Sequence, residues 1–456
     1  MIKNEETVIA ITDIGAKGEG IGKTEEGYTL FVKDALPGDT CRVQIVKGKK
    51  HYGYARLMEV LVPSKDRVDP PCHLSKKCGG CQIMALSYRA QLAFKAEKVR
   101  EDFVRLGGFS EEEIDDVLCP IEGMENPWRY RNKAQLPVGL DKEGHIVAGF
   151  YAGHTHSIIP TTDCLIGIEE NRVIQDIVLK HMKQYSIKPY DEKSHKGLVR
   201  HLLIRKGFST GEIMVCLVVN GKKLPGAPRL AEKLARVEGV KSVSLCINEK
   251  KTNVIMGEEI VNLYGSETIT DTIGDVKFEI SPLSFFQVNP VQTEKLYSYA
   301  LDFADLTGKE SVFDLYSGLG SISLFLAQKA GKVVGVEIVP DAVRDAKANA
   351  KRNGFENTEF LLGRSEDILP RLKAEGALAD VIVVDPPRKG CEESLLQTIS
   401  DMAPERVVYV SCNPSTLARD ARILCDADYK LRKVQPVDQF PHTCHVETVC
   451  LFERGI

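Results

Sequence analysis

No apolar run in these 456 residues approaches the length of a membrane span, although apolar side chains make up 43% of the chain. A protein outside the bilayer is expected. The opening Met1-Ile-Lys-Asn-Glu-Glu6 has neither the charge pattern nor the apolar core of a signal peptide, so the expected location is cytoplasmic. Internal repeats and low-complexity tracts are missing too, and the length favours about two to four domains with ample core. A strong net charge is also lacking. At -4, charge alone does not announce a nucleic-acid binder. Its distribution says more: Cys41 to Val68 holds seven Lys or Arg against two Asp or Glu. The thirteen cysteines are an odd number in a long chain. That argues against a disulfide framework and for reduced thiols, a metal or cluster site, and a catalytic thiol.

Residues 1–65 read as a small all-β unit. Strand-like runs at Thr7–Ile11, Tyr28–Val32, Thr40–Val46 and Tyr54–Val62 are separated by turns at Gly15–Gly22 and Leu36-Pro-Gly-Asp39. Five short strands predict an OB-like barrel, a common nucleic-acid scaffold. Lys47-Gly-Lys-Lys-His-Tyr-Gly-Tyr54 mixes cations and aromatics, as a groove for phosphates and unstacked bases would. Pro63 to Pro71 reads as a linker. Residues 66–275 form a central α/β domain carrying a cysteine cluster. Its helix over 88–106 could pack on either the central or the catalytic domain. From 276 to 456, strands alternate with helices, which predicts a parallel, Rossmann-like sheet with crossovers.

Cys72-x5-Cys78-Gly-Gly-Cys81 gathers three thiols within ten residues, and Cys164 is a candidate fourth. The glycines allow a tight wrap around a compact ion or cluster. Zinc more usually takes paired Cys or His ligands. Three clustered cysteines and one remote fit a four-iron, four-sulfur cluster better, with zinc left open. The other cysteines, apart from Cys412, lie mostly in apolar stretches and read as small core residues.

Asp314-Leu-Tyr-Ser-Gly-Leu-Gly320 ends a strand in a Gly-rich turn, and Glu337 sits near the tip of the next strand. An acid there can accept hydrogen bonds from ribose hydroxyls. A full G-x-G-x-x-G and a P-loop Lys are both missing, so a ligand without pyrophosphate is favoured over NAD; S-adenosylmethionine is such a ligand. Asp385-Pro-Pro-Arg388 follows an apolar strand. Amino-group methyltransferases carry an aromatic where Arg388 stands, which disfavours amine methylation. A further apolar strand, Arg406–Val410, runs into Ser411-Cys412-Asn413-Pro414, with Glu447 thirty-five residues beyond Cys412. A thiol, a carboxylate and a methyl donor are what methylation of uracil carbon 5 requires. That carbon is too weak a nucleophile until a thiolate adds at carbon 6, and a base must then remove its proton.

At this point the chain resembles the RNA uracil-5 methyltransferases, specifically the 23S rRNA branch with an N-terminal TRAM domain and an iron–sulfur cluster. The resemblance implies Cys412 as nucleophile and Glu447 as base. It implies Gln287 (in Ser284-Phe-Phe-Gln-Val-Asn289), Tyr316, Glu337 and Asp385 as S-adenosylmethionine contacts, and Cys72, Cys78, Cys81 and Cys164 as ligands of a 4Fe-4S cluster. It also implies an RNA partner, 23S rRNA with one or two target uridines, and a monomer. Rivals are a tRNA uracil-5 methyltransferase, a non-catalytic RNA-binding iron–sulfur protein and a small-molecule methyltransferase.

Overall fold

The computed structural model describes residues 4–153 and 155–455. The outermost residues of the expected terminal domains, 1–3 and 456, lie outside them. The chain forms two compact units: one of Met1–Lys95, Phe150–Ile159 and Phe440–His445, the other of Ala96–Gly149, Pro160–Gln439 and Val446–Ile456. Among the described residues no helix is long and apolar enough to cross a membrane.

The first unit contains a closed five-stranded barrel. Its strands run in the order Glu6–Ile14, Gly20–Lys23, Thr29–Val32, Tyr52–Val62, Thr40–Gly48. Alternating residues point inward, so Ile9, Ile11, Leu30, Val32, Val43 and Ile45 fill its interior. Gly20–Lys23 falls where the sequence pattern shows a turn. It lacks an apolar alternation because its backbone lies against neighbouring backbone. A Cβ at Gly22 would lie 2.4 Å from the Ala10 carbonyl oxygen. The stretch expected as a linker is pinned to the barrel. Buried Asp39 accepts from the Ser64 amide at 2.9 Å and from Arg67 Nε at 3.1 Å.

The second unit holds most of a central sheet, a second large sheet and a two-stranded one, Ile269–Ile273 with Val276–Ile280. In the central one the order within this unit is Glu259–Gly265, Val240–Ile247, Ile213–Val219, Val199–Lys206, Lys133–Leu140. The strand Ile213–Val219 is buried at every position. The seven-stranded catalytic sheet runs Thr358–Leu362, Lys332–Glu337, Ser311–Leu315, Val381–Val384, Arg406–Ser411, Glu447–Arg454, Tyr429–Val437. The first five strands are parallel, and Glu447–Arg454 is antiparallel to both its neighbours. Apolar runs bury both faces: Val312, Val381 and Val408 on one, Phe313, Ile382 and Val407 on the other.

The helix Tyr88–Arg105 belongs to the first unit up to Lys95 and to the second from Ala96. Its second half meets the seven-stranded sheet. Val99 and Phe103 join the cluster of Phe313, Leu315 and Val384 under the catalytic sheet. Phe103→Ala should therefore lower unfolding free energy by about 3–5 kcal/mol. Leu106→Ala, at a residue 57% exposed, should change it by no more than about 0.5 kcal/mol. Equal effects in denaturant titrations would contradict this packing.

Candidate active site

The carboxyl edge of the catalytic sheet collects the expected side chains because successive strands end there. Ser311–Leu315 runs into Tyr316, Lys332–Glu337 ends on Glu337, Val381–Val384 leads to Asp385, and Arg406–Ser411 leads to Cys412. The antiparallel strand contributes its first residue instead of its last. Ser411 pairs with Thr448, so the next step along each strand sets Cys412 across from Glu447.

Local structure fixes each position. The turn after Ser311–Leu315 places Tyr316 at φ +70°, Gly318 at +56° and Gly320 at +84°. Two glycines suit such a turn, and a tyrosine held there is strained, as is common at functional sites. The Tyr316 hydroxyl donates to Glu366 at 2.8 Å. Glu337 accepts from the Gly318 amide at 3.0 Å and the Val339 amide at 2.8 Å. Each carboxylate oxygen is thus oriented while keeping a lone pair for a ligand hydroxyl. Cys412 precedes a helix, Pro414–Asp426, capped by Asn413, whose side chain accepts from the Ser415 amide. The Asn413 amide group also donates to the Arg388 carbonyl at 2.9 Å, which ties the thiol turn to the Asp385 loop.

Electrostatics mark the edge as poorly solvated. Burial raises Asp385 to about 7. Burial, and then the Asp385 charge, raise Glu447 to about 8. Burial raises the Cys412 thiol to about 11, followed by the charges of Glu447 and Asp385. The exposed Arg388 opposes this at both Cys412 and Glu447. Asp314, fully buried one strand away, is likewise raised to about 7 by burial; Ser323 donates to one of its oxygens, and the other has no hydrogen-bond partner among the described residues.

Gln287 is held from behind. Its carbonyl accepts from Asn132 Nδ2 at 3.0 Å, and its side chain reaches the buried Tyr297 hydroxyl. The segment ahead of it is anchored by Arg205, 1% exposed, which donates to the carbonyls of Ser281 at 3.2 Å and Ser284 at 3.0 Å. The sequence reading missed Asn132, Arg205, Glu366 and Tyr297. Arg205 closes the apolar run Leu202-Leu-Ile204 and is followed by Lys206, so nothing in the sequence marks it out.

Of the four expected cluster ligands, Cys72, Cys78 and Cys81 belong to the first unit and Cys164 to the second. None of the four is in a disulfide, and all four are half-buried. The three-thiol loop is tightly wound. The Gly80 amide donates to Cys78 Sγ at 3.4 Å. Gly79 lies so close to the hairpin tip that a Cβ would fall 3.1 Å from the Gly153 nitrogen. Burial, opposed by that amide, and the neighbouring Cys72 raise the Cys78 thiol, a proton-bearing state that a bound cation would reverse. Cys164 sits in a loop clamped by Arg129, whose Nη1 and Nη2 reach Asp163 at 2.6 and 2.8 Å.

A parallel sheet of this order, with an acid at the tip of its second strand and a small N-terminal barrel, has the architecture of an α/β methyltransferase that works on RNA. The family model "tRNA (Uracil-5-)-methyltransferase" matches residues 192–455, and the TRAM domain model matches residues 3–58. The chain belongs to this uracil-5 methyltransferase family. It is 50% identical to an uncharacterized RNA methyltransferase of Clostridium tetani, over 98% of this chain and 96% of that one. It is 49% identical to one of Halalkalibacterium halodurans, over 99% and 97%. The crystal structure of Pyrococcus abyssi tRNA (uracil-54, C5)-methyltransferase in complex with S-adenosyl-L-homocysteine superposes with a TM-score of 0.77. It is 26% identical and covers 98% of this chain and 100% of its own.

The anchoring of Gln287 yields a test. Arg205→Met leaves the Ser281 and Ser284 carbonyls without their donor and should lower folding stability by about 1–3 kcal/mol. It should weaken S-adenosylmethionine binding roughly tenfold by freeing the segment 281–288. Unchanged affinity by calorimetry would remove Arg205 from the site.

Proposed function

We propose that the protein transfers a methyl group from S-adenosylmethionine to carbon 5 of a specific uridine in 23S rRNA, with Cys412 as nucleophile and Glu447 as base. The observation that carries the reading is the register that sets Cys412 across from Glu447 at the edge holding Tyr316, Glu337 and Asp385. The Cys412 sulfur, having lost its proton, bonds to carbon 6 of a uracil turned out of its stack. Carbon 5, now enolate-like, bonds to the methyl carbon as the sulfonium bond breaks and S-adenosylhomocysteine leaves. Glu447 takes the carbon 5 proton, the carbon 6–sulfur bond breaks, and the thiolate is released. Gln287, Tyr316, Glu337 and Asp385 hold the methyl donor. Cys72, Cys78, Cys81 and Cys164 hold a 4Fe-4S cluster whose part is structural, since methyl transfer moves no electron. A second reading, a tRNA substrate, is favoured by the Pyrococcus tRNA enzyme that matches nearly the whole chain. The N-terminal barrel therefore does not separate the two.

Radiolabelled methyl transfer to unmodified 23S rRNA and to unmodified tRNA, side by side, tests the substrate. Label in rRNA alone supports the proposal. Label in tRNA alone replaces the substrate, and label in neither, with cofactor bound, overturns the enzymatic reading.

Cys412→Ala should abolish turnover and leave cofactor binding intact. Glu447→Gln should accumulate a methylated covalent protein–RNA adduct, visible as a slowed band in a denaturing gel. Lost activity without that band would count against Glu447 as the base.

The pH profile follows from the raised groups. Carboxyls at about 7 and about 8 and a thiol at about 11 must all shed protons to reach the reactive state. The rate should therefore climb as pH rises through 7 to 8 and continue upward. Arg388→Gln removes the cation that lowers Cys412 and Glu447, so the climb should shift to higher pH. A shift to lower pH would refute this account.

A further inference from the structure

The segment Phe440–His445 is the last stretch of chain before Glu447, and it packs in the first unit. The His442 carbonyl accepts from the Gln82 amide at 3.0 Å and the Ile83 amide at 3.1 Å. Gln91, on the helix Tyr88–Arg105, closes on the same residue. Its Oε1 accepts from the His442 amide at 2.8 Å, and its Nε2 lies 3.2 Å from His442 Nδ1. The buried Lys95 ammonium donates to the Phe440 carbonyl at 2.9 Å. Cys444 is buried among Ile14, Leu36, Ile83 and Leu86.

This grip is more than the loop needs merely to be ordered. His442 stands at φ +68°, where a residue with a β-carbon is strained and stays only if its surroundings impose the conformation. It lies five residues before Glu447. The amides that hold His442 directly follow Cys81, so the thiol loop and the strap are joined through two consecutive residues.

We propose that Gln91 and Lys95 are positioning residues for Glu447, acting through the 440–445 strap, and that the Cys72–Cys81 loop is the anchor of that strap. The proposal rests on the reading of Glu447 as the base. Cys412 is carried by Arg406–Ser411 and its following helix, and the cofactor positions by other strands. A loosened strap therefore leaves thiol addition and methyl transfer in place and slows proton removal. A group bound by the three thiols stiffens the loop and, through Gln82 and Ile83, the chain ahead of the base. This gives the cluster a mechanical purpose in a reaction that moves no electron.

The test compares wild type, Gln91→Leu, Lys95→Met and Glu447→Gln in single turnovers on the methyl-accepting RNA. Gln91→Leu should accumulate the methylated adduct as Glu447→Gln does and lose about 10- to 100-fold in turnover, with cofactor affinity unchanged. Gln91→Glu, which keeps the acceptor for the His442 amide, should recover part of that loss. If Gln91→Leu loses adduct formation and turnover in equal proportion, or turns over like wild type, the proposal is overturned. If Glu447→Gln itself gives no adduct, the reading of the base fails first and the proposal with it, an outcome distinct from failure of the Gln91 arm alone. A second arm measures amide exchange in Cys81→Ser: peptides spanning 440–446 should exchange faster than in wild type, and unchanged exchange overturns the anchor. Should Cys81→Ser fail to fold, the Gln91 arm still decides.

Discussion

Everything at the catalytic edge depends on burying carboxyls and a thiol where water solvates them poorly. Burial is the leading cause of the rise at Asp314, Asp385, Glu447 and Cys412. An acid that holds its proton to about 7 or 8 when folded releases it near 4 when unfolded. Below both values the two states bind protons alike. Between them the folded chain holds protons that the unfolded chain has lost, so rising pH draws stability away; above about 8 the loss is complete. The direction of this penalty opposes the proposed mechanism, which uses those groups ionised. The two apolar clusters on the faces of the catalytic sheet are what offset it.

The antiparallel strand is the topological device that makes the pairing of thiol and acid possible. Parallel strands end together at one edge, so each offers that edge its last residue. A strand running the other way offers its first, and the chain reaches that residue by a loop on the functional side. Glu447 therefore meets the edge directly from the Phe440–His445 strap. In a fully parallel sheet the chain would have to cross over, and a base two residues beyond such a strap would face the opposite edge.

What was legible in the sequence was local. Cys412 with its Asn-Pro cap, the Gly-rich turn at Tyr316 and the barrel's alternating runs each declare themselves within a few residues, because turn chemistry and strand periodicity are short-range. The strand Gly20–Lys23 overlaps the expected turn Gly15–Gly22 because the close backbone approach that makes it a strand also requires glycine. The register that places Glu447 across from Cys412 was not readable, since it depends on strand order and direction. Arg205 and Asn132 were missed for a related reason: both act through backbone carbonyls of a distant segment, and carbonyls leave no mark in a sequence.

Substrate choice sits elsewhere than in the reactive groups. A thiol and a carboxylate adding to and deprotonating a uracil discriminate the base, not the RNA that carries it. Exposing that base costs a few kcal/mol of stacking, which contacts to the rest of the RNA must supply. On the barrel, Phe31, Tyr52 and Tyr54 form a ring cluster with centroids 5.7 to 5.9 Å apart. It lies on and beside the segment that carries Lys47, Lys49, Lys50 and Arg56. Aromatic faces and flexible cations accept unpaired nucleotides of any sequence. They supply affinity without naming a target. On the proposed reading, selection of one uridine falls to the fold of the RNA, which sets the loops that can present an unstacked uracil. Ribosomal and transfer RNA differ in that geometry and not in the chemistry of the base, so one set of catalytic residues serves enzymes for either.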